Sequence, residues 1–175
     1  AVRQHPASSE ARRLLGNAYW AADDIGAAVM QFNAALALEP ADERLRTSRQ
    51  TALLAVEPNE AVEAEVNATV AAHSRSGVAH QNLGRFHQSV ARNREAVAAF
   101  RDALQRYPLV AVGRLHLSIA EIHVQQLRLD EAIGSFRAAL AVDPNTVVPR
   151  SGIARLFMEG SRLDEAYTEY LVLLL

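Results

Sequence analysis

The sequence predicts an all-α solenoid of antiparallel helix pairs, and two observations support this prediction. Apolar residues recur at the three- and four-residue spacing of one helix face, most clearly at Ala28, Phe32 and Ala35. The same stripe returns around Phe100, 68 residues after Phe32. A single helix cannot bury such a stripe alone, so neighbouring pairs are expected to stack into a continuous core.

Composition excludes several function classes. The chain has 175 residues with a net charge of -2 and scattered basic residues, so we predict no nucleic-acid partner. It contains no cysteine, and all 18 of its basic residues are arginine. Thiol chemistry and a lysine-containing phosphate loop are therefore excluded. No stretch is long and apolar enough to span a membrane, so we expect no direct membrane insertion.

An internal repeat of 34 residues organises the chain. Gly16 aligns with Gly84, and Pro40 aligns with Pro108, both at twice that period. Two further copies begin their second helices with "LDEA", at residues 129 and 163. Acidic residues there suit the positive end of a helix dipole. The predicted divisions of one array are a tail at 1–8, repeats at 9–42, 43–76, 77–110 and 113–146, and a truncated repeat at 147–175.

Several repeats have small and aromatic residues where two helices must approach closely. Gly16 and Gly84 occupy the first helix, where a side chain would push the partner helix away. A proline, such as Pro40, then ends the second helix. This pattern resembles that of the tetratricopeptide repeat family, which has Trp, Leu-Gly and Tyr on the first helix and Ala-x3-Phe, then Pro, on the second. The resemblance implies a right-handed superhelical solenoid.

The copy at 43–76 departs from the pattern. Arg49 and Gln50 replace the Leu-Gly pair, and Thr69 replaces the small alanine. Apolar stripes persist, so we interpret the segment as a degenerate helix pair. We expect Pro58 to open its second helix, where proline is tolerated.

Four of the six histidines form two H-x6-H pairs, His80 with His87 and His116 with His123. Residues seven apart on a helix are roughly 10 Å apart, too far to share one metal ion. They occupy the Trp and Tyr positions of the family pattern, so we interpret them as packing residues. A metal site formed between adjacent repeats remains the alternative. We predict no catalytic residue and no cofactor.

The resemblance implies that the first helices line a concave groove for an extended peptide or a partner helix. Arginine and amide side chains suit a peptide backbone and carboxylates. The groove residues predicted on this basis are Arg13, Asn17, Trp20, Gln81, Asn82, Arg85, Gln88, Arg114, Glu121, Gln125 and Arg155.

A narrower possibility within the family is a clamp for a partner's C-terminal carboxylate. Arg13 and Asn17 match its opening pair, but Ser48 and Val78 stand where the clamp needs Asn and a basic residue. The clamp is therefore incomplete, and binding of a chaperone tail is a minor alternative.

The predicted function is thus a non-catalytic protein–protein interaction scaffold. The alternative is an accessory recognition or assembly segment of a larger bacterial enzyme or polysaccharide-secretion machine. The chain begins at Ala1 rather than at a methionine, which we interpret as a segment of a longer protein. Its last segment, "YLVLLL", would be an uncapped apolar helix, so we expect another helix or a second copy of the chain to cover it.

Overall fold

A computed structural model describes residues 8–56, 58–106 and 109–173. Within those ranges the chain forms ten α-helices and no strand, which confirms the all-α prediction. The helices are α1 Ser9–Ala21, α2 Ile25–Leu38, α3 Glu43–Val56, α4 Glu60–Ala72, α5 Gly77–Ser89, α6 Asn93–Leu104, α7 Leu109–Gln125, α8 Leu129–Val142, α9 Val147–Glu159 and α10 Leu163–Leu173.

Packing divides the chain into two compact units. The first comprises Ala1–Ser74 and Val78–Arg92, and the second comprises Arg75–Gly77 and Asn93–Leu175. The first unit therefore holds α1 to α4 and nearly all of α5, while the second holds α6 to α10. The predicted repeat boundaries and the single array remain predictions.

Close packing of a glycine against an aromatic ring holds α1 to α2 in the first unit. A Cβ on Gly16 would lie 2.6 Å from Cε1 of Phe32, well inside contact distance. Phe32 is buried with Ala28 and with Ala52 of α3. The predicted role of Gly16, to admit a neighbouring helix, is therefore confirmed. Further along, Val62 and Val66 of α4 bury against Phe86 of α5.

The degenerate segment does form two helices, α3 and α4, but its second helix begins differently from the prediction. Asn59 is the N-cap of α4, and its side chain accepts a hydrogen bond from the Val62 amide at 3.1 Å. Pro58 lies before that cap, so the prediction that Pro58 opens the helix is wrong. Asn59 is favoured at the N-cap because its side-chain oxygen accepts a hydrogen bond from one of the free amides of the first turn.

Two apolar clusters form the core of the second unit. Phe100 of α6 is buried with Leu115, Ile119 and Ile122 of α7. Phe136 of α8 is buried with Ile153 and Leu156 of α9. A Cβ on Gly152 of α9 would lie 2.8 Å from Cζ of Phe136. The two residues inserted between the third and fourth repeats fall within α7, the longest helix at 17 residues.

The turns that join paired helices repeat one geometry. Asp23, Ala91, Leu127 and Ser161 all adopt a positive φ of 58 to 62°. In each turn the next residue's amide donates to a carbonyl five residues earlier, as Arg128 does to His123 at 2.9 Å. This arrangement ends a helix and satisfies its last carbonyls. The predicted starts at the two "LDEA" segments are confirmed, since α8 and α10 begin at Leu129 and Leu163.

Candidate functional site

A cleft in the first unit brings together several of the predicted groove residues. It consists of two adjoining cavities of about 270 and 370 Å³ that share Trp20 and Thr51 as walls. We call them together the Trp20 cleft. Its lining residues come from α1, α2, α3 and α5: Asn17, Trp20, Phe32, Thr47, Ser48, Thr51, Leu54, Ala55, Val78, Arg85, Gln88 and Ser89.

Trp20 stands out in this cleft because it is a large apolar side chain left 38% exposed. It lies beside the apolar Leu54 and the polar Thr51, Arg85 and Gln88. Asn17, one turn earlier on α1, lines the neighbouring cavity. The structure thus places four of the predicted residues around one concave surface. Sequence reasoning missed Thr51 and Leu54, which lie on the degenerate helix α3.

Arg13 and Gln81 do not line the Trp20 cleft. Arg13 lies on α1, where its Nε and Nη2 donate to the Glu10 carboxylate at 2.7 and 2.6 Å. These hydrogen bonds hold the pKa of Glu10 below its ordinary value. Gln81 is half-buried on α5.

Asn82 requires a correction, because the structure buries it to 1% exposure. Its Nδ2 donates to the Gln50 side chain and to the Thr47 carbonyl, both at 3.3 Å, and its Oδ1 accepts from Thr51 at 3.3 Å. Asn82 therefore connects α5 to α3 inside the unit and is not exposed to a partner. Its burial is explained by Gln50, whose own buried amide needs a polar neighbour.

The second unit has its own cleft of about 360 Å³, which we call the Tyr170 cleft. Two predicted residues line it, Glu121 of α7 and Arg155 of α9, together with Val148 and Tyr170. Arg155 lies 3.9 Å from Glu159 at the closest charged atoms. Tyr170 was missed because it occupies the Phe position of the repeat, which is normally a core position.

Arg114 and Gln125 are exposed on α7 and do not line the Tyr170 cleft. They extend the face that includes Glu121, since all three lie on one side of the helix. The structure therefore brings only part of the predicted groove together in each unit.

The four histidines of the two H-x6-H pairs occupy partly or fully buried positions on α5 and α7. His80 is buried, and its Nε2 lies 3.1 Å from the Ser74 carbonyl. His123 is buried, with Nδ1 3.4 Å from the Ser135 hydroxyl. Burial lowers the pKa of His116, which is half-buried. Within the described residues, no group of three or more His, Cys, Asp or Glu side chains is placed to hold a metal ion.

None of the helices in the described ranges combines the length and the apolar character that crossing a bilayer requires.

The sequence profile described as the tetratricopeptide repeat matches residues 77–146 and 117–174. No curated protein matches the chain.

Solved structures resemble the chain in fold. A thermophilic TPR protein of Thermus thermophilus, TTC0263, has a TM-score of 0.78 at 23% identity, over 95% of this chain and 90% of that one. The pilF protein of Pseudomonas aeruginosa has a TM-score of 0.80 at 19% identity, over 94% and 74%. MamA of Desulfovibrio magneticus RS-1 has a TM-score of 0.72 at 10% identity, over 95% and 93%.

Proposed function

This chain belongs to the tetratricopeptide repeat family, and we propose that it is a non-catalytic scaffold that binds an extended peptide or partner segment in the Trp20 cleft. The family and the fold support a protein-interaction scaffold in general. The choice of this cleft rests on one observation, the exposed Trp20 that forms a wall of both adjoining cavities.

The chemistry of the Trp20 cleft favours a peptide with an apolar side chain. A partly exposed tryptophan in a concave surface supplies a large contact area with little conformational freedom to lose, as at many interface hot spots. Leu54 extends the apolar wall beside it. Asn17 and Gln88 carry amides that can pair with both the N–H and the C=O groups of an extended peptide backbone.

Charge narrows the choice of peptide further. Arg85 lines the cleft, and the described lining residues include no carboxylate. A partner segment that is neutral or acidic beside its apolar residue is therefore preferred over a basic one.

A peptide selection tests the proposal even though the natural partner is unidentified. Peptides enriched from a random displayed library on the wild type are measured against Trp20→Ala and Gln88→Ala. We expect Trp20→Ala to weaken binding by about 2 kcal/mol, roughly thirtyfold, because it removes the central apolar wall. Gln88→Ala should have a smaller effect, since it removes one polar contact.

The matched control is Met30→Ala, which removes another exposed apolar side chain, on α2 and outside the cleft. Its affinities should equal those of the wild type. Peptides that bind Trp20→Ala and the wild type equally well would refute the assignment of the cleft.

The remaining predicted residues belong to the proposal as secondary contacts. In the second unit, Glu121 and Arg155 line the Tyr170 cleft and would form polar contacts with a segment of a partner. Arg114 and Gln125 on α7, and Arg13 and Gln81 in the first unit, would contact flanking residues. Asn82 is omitted because it is buried.

We also propose that the chain associates with a second copy through α10. Leu163, Tyr167 and Leu171 recur every four residues on this helix and are all exposed. Contiguous exposed apolar surface of this kind marks an interaction site. Sedimentation should show a dimer that Tyr167→Arg dissociates, while a concentrated wild type that remains monomeric would contradict the proposal.

A further inference from the structure

A third cleft in the protein lies in the second unit, between α6, α7 and α8, with a volume of about 270 Å³. We call it the histidine cleft, because α7 contributes His116, Ile119 and His123 to it. The stripe that these three residues form points away from the stripe of Arg114 and Glu121, roughly on the opposite side of the helix. The histidine cleft is thus separate from the proposed partner groove.

Gly134 forms part of the cleft wall, and packing does not explain it. A Cβ at Gly134 would meet no atom within 4 Å, whereas one at Gly16 would collide with Phe32. Gly134 lies inside α8, and glycine is unfavourable inside a helix. No neighbouring atom would obstruct a side chain at Gly134, so the absence of one leaves open space, and that space is part of the cleft.

The polar groups of the cleft are mainly hydrogen-bond donors. Arg101 on α6 is exposed, and its guanidinium forms no hydrogen bond or ion pair with any of the described residues. His116 is half-buried, and burial lowers its pKa, so at neutral pH it is an uncharged imidazole with one N–H to donate. His123 lies beside Ser135, whose hydroxyl donates to the Glu131 carbonyl at 2.9 Å.

The other contributions to the cleft are one carboxylate and an apolar surface. Glu131 is the carboxylate, but its ion pair with Arg128 at 2.6 Å balances its charge and keeps its pKa below the ordinary value. Leu104, Ile119 and Ala138 supply the apolar surface. A ligand for this site therefore needs an anionic group for Arg101 and a short hydrocarbon part.

We propose that the histidine cleft binds a carboxylate carried on a short aliphatic stem. Arg101 pairs with the carboxylate in a charge-assisted, forked hydrogen bond. His116 and His123 line the same cleft, so a bound carboxylate should change the surroundings of their imidazoles, while the apolar surface covers its stem. A metal cation is disfavoured by the arginine, and among the described residues no group of three or more His, Cys, Asp or Glu side chains is placed to hold one. A free short-chain acid and a glutamate side chain of a partner share this chemistry.

Nuclear magnetic resonance of the imidazole signals of His116 and His123 tests the site directly. The probes are sodium butyrate, its neutral isostere butyramide, and a short blocked peptide with one glutamate. We expect the carboxylate probes to shift both histidine signals and to saturate at millimolar concentrations, while butyramide does not. If butyrate binds more tightly, the natural ligand is a free acid. If the peptide does, it is an acidic side chain.

Two variants locate the binding. Arg101→Ala should weaken butyrate binding by about tenfold, because it removes an exposed charge-assisted pair, while Arg94→Ala on the same helix should have no effect. Gly134→Leu should fill the cleft and abolish the shifts without lowering the unfolding temperature. Absence of carboxylate-dependent shifts, equal shifts with butyramide, or wild-type binding by Arg101→Ala or Gly134→Leu would overturn the proposal.

Discussion

The first two helix pairs of the protein use the same repeat positions in opposite ways. In the pair α1–α2, Gly16 makes room for the ring of Phe32, and the contact is apolar. In the pair α3–α4, the positions 34 residues later hold Gln50 and Val66. Gln50 is fully buried there and donates to Thr69 Oγ1 at 2.7 Å.

The difference shows that the residue suited to one repeat position depends on the residues packed against it. Valine is smaller than phenylalanine, so the degenerate pair has room for a glutamine side chain at the position where the first pair needs a glycine. A buried amide without partners would be costly, and Thr69 and Asn82 provide those partners. The buried polar side chains therefore satisfy one another where the first helix pair has an apolar contact.

The largest expected loss of stability comes from the pair α1–α2, where an aromatic ring fills the contact. Phe32→Ala should destabilise the protein by about 3 to 5 kcal/mol, because it empties the space beside Gly16. Val66→Ala should cost less, since it removes fewer buried atoms. Denaturant titration of both variants measures the difference. A loss for Val66→Ala that matches or exceeds that of Phe32→Ala would contradict the assigned packing.

The polar side of the comparison predicts an intermediate effect and a coupling. Gln50→Ala and Asn82→Ala should each cost about 1 to 3 kcal/mol, because each leaves buried partners unsatisfied. In a double-mutant cycle the combined loss should fall short of the sum by about 0.5 to 3 kcal/mol. Additive losses would show that the hydrogen bond between the two amides does not stabilise the protein.

The last two variants, which include the smallest expected effect, separate a glycine required by packing from one that is not. Gly16→Ala should destabilise by about 1 to 3 kcal/mol, because its Cβ would overlap Phe32. Gly134→Ala should stabilise by about 0.5 to 1 kcal/mol, because alanine favours the helix and nothing obstructs it. Thermal unfolding of the two variants should therefore shift in opposite directions, and a shift in the same direction would refute the contrast.

Much of this fold could be predicted from the sequence, because repetition shows which apolar positions matter. The stripe of Ala28, Phe32 and Ala35 predicted a buried helix face, and the position of Gly16 predicted a close approach. Both the apolar stripe and the glycine position can be recognised within one helix or from the 34-residue period, without knowledge of distant contacts. The start of α4 was predicted wrongly because Pro58 and Asn59 both favour a helix start, and only the cap hydrogen bond decides between them.

The site was harder to predict, because exposure depends on contacts between distant residues. Asn82 lies next to groove positions on its helix, yet its partners Thr47, Gln50 and Thr51 are more than 30 residues away. The family pattern assigns each position to one face of its helix. It cannot show that Gln50 of the degenerate repeat needs the buried amide of Asn82 as a hydrogen-bond partner. Trp20 was predicted from the family pattern, which assigns it to the groove side of the first helix together with Asn17, and both residues line the Trp20 cleft.

The central claim is that a partner binds against Trp20, and the protein provides its own probe. The chain contains a single tryptophan, so all tryptophan emission reports on the Trp20 cleft. Addition of a selected peptide should shift that emission to shorter wavelengths, with the same dissociation constant that calorimetry measures. Binding seen by calorimetry with no change in the emission of Trp20 would contradict the claim.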